Sequence, residues 1–268
     1  MRRRGFLALA GVTALAGYGV LRSGILDDGI PLLDEGQGLL NPNDEDFSVE
    51  GQGECRTPES LESFKTLGGA RLGYEIDRTK ATYKADPRFI ELLEEWAEDW
   101  VKLSGLGALT KVWSYGAYVD KCSSWHQAGR AFDFAELEHE GGKVSCRQDK
   151  WGEDGGRMRS YWRLAASLHE HFAYTLTCRY NEAHRNHIHV DNGVSGWDRS
   201  AFDPGSRVQV QMVQNACRYV FGKDIDLTDS YDDQTKDAVR SVQKSNGISR
   251  PLAKADGWRE FLRATASA

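Results

Sequence analysis

The sequence predicts an α+β protein, an antiparallel sheet with flanking helices followed by a small helical domain, and three observations carry that prediction. Residues 130–135 and 186–191 alternate as strands do, residues from 86 and from 161 repeat apolar side chains at helical spacing, and helical spacing returns after Asp203-Pro204-Gly205. With 268 residues, 40% of them hydrophobic, the chain can bury one catalytic core plus a smaller module.

The chain order begins with an export signal over residues 1–24. Met1-Arg2-Arg3-Arg4 precedes an uncharged Ala/Gly-rich stretch that reaches Leu21. Arg3-Arg4-Gly5-Phe6-Leu7 resembles the Arg-Arg-x-Phe-Leu core of twin-arginine signals, which move folded proteins across the bacterial membrane. A general secretory signal or an uncleaved anchor is the alternative, although the apolar stretch falls short of the roughly 20 residues a spanning helix needs. Membrane contact is expected through this signal alone, and the folded part is expected to be secreted or to reside at the cell surface or in the periplasm.

Residues 25–54 read as an acidic linker, with nine carboxylates from Asp27 to Glu54, no Lys or Arg, and no apolar period. The net charge of −6, with cations scattered rather than striped, excludes the electrostatic footprint of a nucleic-acid binder. The expected oligomeric state is a monomer.

A helix is expected from the Asp86 cap and Pro87 through Phe89, Leu92, Leu93, Trp96, Trp100 and Val101 to a stop at Ser104-Gly105. A second runs through Tyr161, Leu164, Ala165, Leu168 and Phe172. It carries His169 and His171, whose spacing of two points the rings apart on a helix, as expected for surface histidines. Five cysteines lie beyond the export signal, where disulfides are permitted. None forms a Cys-x-x-Cys, the odd count leaves a thiol over, and Cys217 in an apolar helical pattern reads as a buried thiol.

The strand segments carry the chemistry. Alternation puts Ala131, Asp133 and Ala135 on one face with Phe132 and Phe134 behind, and puts His187, His189 and Asp191 together with Ile188 and Val190 behind. Two such strands side by side in an antiparallel sheet face one site. With His126 and His184 nearby, four of the seven histidines and two aspartates fall in two short windows. Nitrogen and carboxylate ligands in a tetrahedron with one open position suit a catalytic Zn2+, whose bound water has a pKa of roughly 7. A salt bridge between His126 and Asp133 and a merely polar strand face are the alternative.

Ser124-x-His126-x-x-Gly129-x-Ala131-x-Asp133, followed by His187-x-His189, resembles the signature of zinc D-Ala-D-Ala carboxypeptidases and their relatives. With His184 upstream of the second motif it is most similar to their extensin-like C-terminal branch, over residues 55–203. The resemblance implies an α+β fold with an antiparallel sheet shared with hedgehog-type domains. It also implies one zinc ion on His126, Asp133 and His189, catalytic help from His187, and a substrate contact from Ser124. Relatives that use Glu-x-x-His for the general base are not matched, because Arg185 stands three residues after Glu182. His187 is therefore the first candidate base, with Glu182 and Asp191 behind it. Asp191 is alternatively an orienter of a ligand histidine. His184 is a candidate substrate contact or a loop residue.

Over residues 205–263, Tyr231-Asp232-x-x-Thr235-x-x-Ala238-Val239-x-x-x-Gln243 resembles the second helix of the three-helix peptidoglycan-binding domain, although Ser230 replaces the usual glycine. Aspartate caps and a stop at Gly247 fit such a helix. The expected function is a secreted zinc metallopeptidase that hydrolyses peptide bonds of peptidoglycan stem or cross-link peptides through a metal-activated water, as carboxypeptidase or endopeptidase. The alternative is a catalytically inactive cell-wall-binding protein with a structural zinc.

Overall fold

The computed structural model describes residues 55–121, 124–193 and 201–268. The export signal, the acidic linker and Cys122 lie outside the described residues. Among the described residues no helix is long and apolar enough to cross a membrane.

The architecture is α+β. The main sheet has seven strands, β2 (Thr66–Leu67), β3 (Ala70–Tyr74), β5 (Leu109–Gly116), β6 (Ala131–His139), β7 (Gly142–Ser145), β8 (Tyr174–Leu176) and β9 (Ile188–Asp191). They run in the order β2-β3-β5-β6-β9-β8, with β7 on the second half of β6. A separate ribbon pairs β1 (Glu62–Phe64) with β4 (Tyr83–Ala85). The sheet departs from the expected antiparallel pattern at one pair, because β3 and β5 run parallel. Parallel neighbours need a long crossover, and the helix α1 (Pro87–Ser104) between them supplies it.

Helix α1 has the boundaries its sequence signals predict. Asp86 Oδ1 accepts the Arg88 N–H at 2.9 Å, and Gly105 ends the helix in the left-handed conformation at φ 70°. Its buried face lays Trp96 against Phe134, ring centroids 4.7 Å apart, and sends the Trp100 indole N–H to His139 Nε2 at 3.1 Å. Trp96 also donates to Ser167 Oγ on α3 (Gly155–His171), which follows the single turn α2 (Gln148–Trp151).

His169 and His171 are both buried at 4% exposure, contrary to the surface position expected. The rings do point to different neighbours, but helices cover α3 on more than one side. Burial pushes the His169 pKa down to about 3, beside the Trp258 ring. His171 Nε2 lies 3.4 Å from Asp99 Oδ2.

Three helical segments complete the chain: α4 (Arg207–Asn215), continued by a π turn over Ala216–Val220, then α5 (Asp233–Ser245) and α6 (Ala255–Ser267). Asp232 caps α5 by accepting the Thr235 N–H at 2.8 Å, and Gly247 beyond its end takes φ 68°. One hydrophobic cluster joins Leu72 and Phe134 of the sheet, Trp96 and Trp162 of the first helices, and Val213, Phe261 and Leu262 of the last. Cys55 is disulfide-bonded, whereas Cys146, Cys178 and Cys217 are free buried thiols.

Candidate metal centre

Strands β6 and β9 pair antiparallel with Asp133 opposite His189 and Ala131 opposite Asp191. The pleat therefore directs these polar side chains to one face, while Phe132, Phe134, Ile188 and Val190 are fully buried on the other. His126 arrives from the loop before β6. That loop is held by Gly129, which takes φ +71°, where a Cβ would stand 2.6 Å from Leu61 Cδ2 and 2.8 Å from Asp86 N. The Gly129 carbonyl accepts the Asp86 N–H at 2.8 Å, tying the loop to the start of α1.

His126 Nε2 lies 3.3 Å from His189 Nδ1 and 3.3 Å from Asp133 Oδ2, and His189 Nδ1 lies 2.9 Å from Asp133 Oδ1. A tetrahedral zinc with bonds of roughly 2.1 Å spaces its ligand atoms about 3.4 Å apart, so the donor set fits the ion. The outer nitrogens are committed elsewhere. His126 Nδ1–H donates to the Ala117 carbonyl, and His189 Nε2–H donates to Asp191 Oδ2 at 3.0 Å. Each bond keeps the outer nitrogen as the N–H, so that the inner nitrogen is the one free to turn a lone pair toward the shared point once it carries no proton.

Electrostatics bind the three groups together even without an ion. Burial disfavours the Asp133 anion, but His126 and His187 beside it, with hydrogen bonds from His126 and His189, hold its carboxyl well below the ordinary carboxylate range. Burial likewise disfavours protonated His189, yet hydrogen bonds to Asp133 and Asp191 outweigh it and raise its pKa well above the ordinary imidazole value.

His187 borders this trio, with Nε2 3.7 Å from Asp133 Oδ1. Its Nδ1–H donates to Asn186 Oδ1 at 2.6 Å, which places its lone pair on Nε2. Asp191 is 2% exposed and uses both oxygens, Oδ2 on His189 and Oδ1 on the Gly193 N–H at 2.8 Å. That is the geometry of an orienting residue. Glu182 instead has its side chain 84% exposed and held by Arg185 at 2.9 Å, so the structure does not bring it to the centre. His184 is wholly buried, with Nδ1 2.7 Å from Asn181 Oδ1 and its ring 5.0 Å from His187 and 6.1 Å from His189. Its ring thus packs near both histidines of the second motif. Ser124 is also buried, and its Oγ accepts the His126 N–H at 3.1 Å, a loop-shaping bond.

The sequence reading missed Tyr115, whose ring stands 5.9 Å from His187, and the two asparagines that set the tautomers of His184 and His187. Asn186 sits inside the histidine-rich motif and could have been found there. Tyr115 carries no spacing signal, because strand pairing alone brings β5 alongside.

Asp99, Glu170 and His171 form a second cluster with closely spaced donor atoms. The Arg263 guanidinium already occupies it, 2.8 Å from Glu170 and 3.3 Å from Asp99, so the cation there is a side chain.

No curated protein and no solved structure matches the chain. Residues 113–200 match the family model described as the extensin-like protein C-terminus, a segment that contains every residue of the His126, Asp133 and His189 centre together with His184, His187 and Asp191.

Proposed function

We propose that the protein is a secreted zinc-dependent peptidase acting on peptidoglycan stem or cross-link peptides, with the ion held by His126, Asp133 and His189. The observation that carries this reading is the spacing of the three donor groups, 2.9 to 3.3 Å, with the outer nitrogens of both histidines engaged in hydrogen bonds that leave the inner nitrogens to ligate. A zinc ion bound there supplies Lewis acidity for attack on an amide.

The remaining chemistry belongs to side chains of this chain. His187 Nε2 is the proton acceptor for the attacking water and returns that proton to the leaving amine. The Asp133 carboxylate 3.7 Å away stabilises the imidazolium formed in between, and Asn186 keeps the ring from rotating. Asp191 holds His189 in place. The helices after Asp203 resemble a wall-binding module in sequence, which would raise the local concentration of an insoluble substrate.

Two measurements test the proposal. Purified protein is expected to contain one zinc per chain, lost in His126→Ala, and mass spectrometry of treated muropeptides is expected to show a product shortened at a peptide bond. Stoichiometric zinc without any cleaved product would favour a catalytically silent wall-binding protein instead, and no zinc at all would overturn the site.

A further inference from the structure

A cavity of about 330 Å³ is lined by Arg78, Lys143, Arg147, Lys150 and Arg157 with Glu136 as its one carboxylate, in a protein whose net charge is −6. Such a local reversal of sign concentrates anions. The bulge in β6 contributes to it. The register against β5 shifts between Phe134 and Glu136, so Leu137 regains the core while Glu136 projects to the face that bears Asp133.

Several of the nearby acids are already engaged. Glu136 pairs with Arg78 at 3.2 Å and Lys143 at 3.1 Å, buried Glu75 with Arg78 at 3.0 Å and Arg147 at 2.7 Å, Asp149 with Arg147 at 2.7 Å, and Glu153 with Arg179 at 2.9 Å, which neutralises Arg78, Lys143 and Arg147. Lys150 and Arg157, both exposed, form no salt bridge among the described residues, and the Trp151 ring adds an apolar wall. Two cations are thus left to meet an incoming anion. The cavity also lies within reach of the centre. The Arg147 guanidinium is 5.8 Å from the Tyr115 ring, and that ring is 5.9 Å from His187. Arg147 on the cavity wall is therefore at most about 12 Å from His187, within the span of a few residues of extended peptide at roughly 3.3 Å each.

We infer that this groove is a carboxylate-binding subsite that selects peptides bearing an acidic residue several positions from the bond at the metal centre. The inference rests on the peptidase reading for the word substrate, but the groove's own chemistry does not need turnover. The carboxylate of the peptide is taken by Lys150 and Arg157, with the Trp151 ring on the same lining.

The test is binding, measured by calorimetry on the full zinc-loaded chain. The probes are alanine hexapeptides with one glutamate, placed at each position in turn, each compared with its glutamine counterpart. The glutamate peptides are expected to bind about tenfold tighter at low salt, with the advantage shrinking toward 1 M salt as the Debye length falls to about 3 Å. Lys150→Ala/Arg157→Ala is expected to erase the preference, and Lys150→Glu/Arg157→Glu to invert it; both positions are exposed, so the fold is kept. Equal affinity for glutamate and glutamine peptides in the unaltered protein, or a preference that survives the double alanine variant, overturns the inference. A charge-dependent preference without cleavage of any wall peptide would sustain the groove and remove the peptidase. Cleavage with no charge preference would do the reverse.

Discussion

Asp191 and His189 show how an outer residue governs an inner one. Burial alone would keep His189 neutral, yet two carboxylates reverse that and hold a proton on it in the metal-free protein. A metal ion must displace that proton, so binding is linked to pH. The sign follows from the raised pKa. Below it, each unit of lower pH is expected to weaken zinc binding about tenfold, and above it the dependence flattens. Chelator competition across that window checks this, and release of one proton on binding in calorimetry is the companion result. Stability of the metal-free protein carries the opposite signature for this group. Its contribution is complete below the unfolded imidazole pKa and is lost as pH rises through the elevated folded value, whereas that of Asp133 is lost as pH falls through its depressed one. Asp191→Asn keeps a hydrogen-bond acceptor for His189 Nε2 but removes the charge, and should weaken zinc binding by roughly 10- to 100-fold while releasing less of a proton.

Among the elements, the loop before β6 and the bulge within it decide where the chemistry stands. Gly129 combines a left-handed backbone with close packing on Leu61 and Asp86, so Gly129→Ala should lose about 1–2 kcal/mol to the backbone and more to overlap. Gly105→Ala is the matched comparison, since its φ is +70° but nothing lies within 4 Å, and only the backbone part is expected. Denaturant unfolding should rank them in that order, with zinc affinity reduced only in the first. These elements also show what could be read in advance. The helix from Pro87 and the alternation over 131–134 and 188–191 were legible, because each obeys one local period. The bulge at 135 breaks the strand period, so Glu136 and the basic groove around it were hidden. The parallel pairing of β3 with β5 and the contact of Tyr115 with His187 depend on which strands become neighbours, and no spacing in one chain encodes that. The surface placement expected for His169 and His171 failed for a related reason, since helical period tells which way a ring points but not what covers it.

For the whole molecule the decisive contact lies between the last helix and the first ones. Arg263 on α6 reaches Glu170 on α3 at 2.8 Å and Asp99 on α1 at 3.3 Å, and Phe261 and Leu262 enter the same cluster as Trp96 and Trp162. The Glu170 side chain is only 1% exposed, so taking its partner away leaves a carboxylate stranded out of water. Arg263→Ala should lower stability by about 2–3 kcal/mol, short of a fully buried pair because Arg263 is itself 40% exposed. Adding Glu170→Gln removes the stranded charge and should recover part of that loss, which a double-mutant cycle followed by denaturant unfolding measures. The shared core makes a stronger claim about cooperativity. If the closing helices were an independent module, calorimetry would resolve two transitions and a chain ending at Asp203 would keep its sheet. With Val213, Phe261 and Leu262 built into the cluster that also holds Leu72 and Phe134, a single transition is expected. The shortened chain should lose its fold and with it the proposed zinc site, since removing α4 to α6 uncovers the apolar surface of α1 and α3 on which the strands of the candidate centre are stacked.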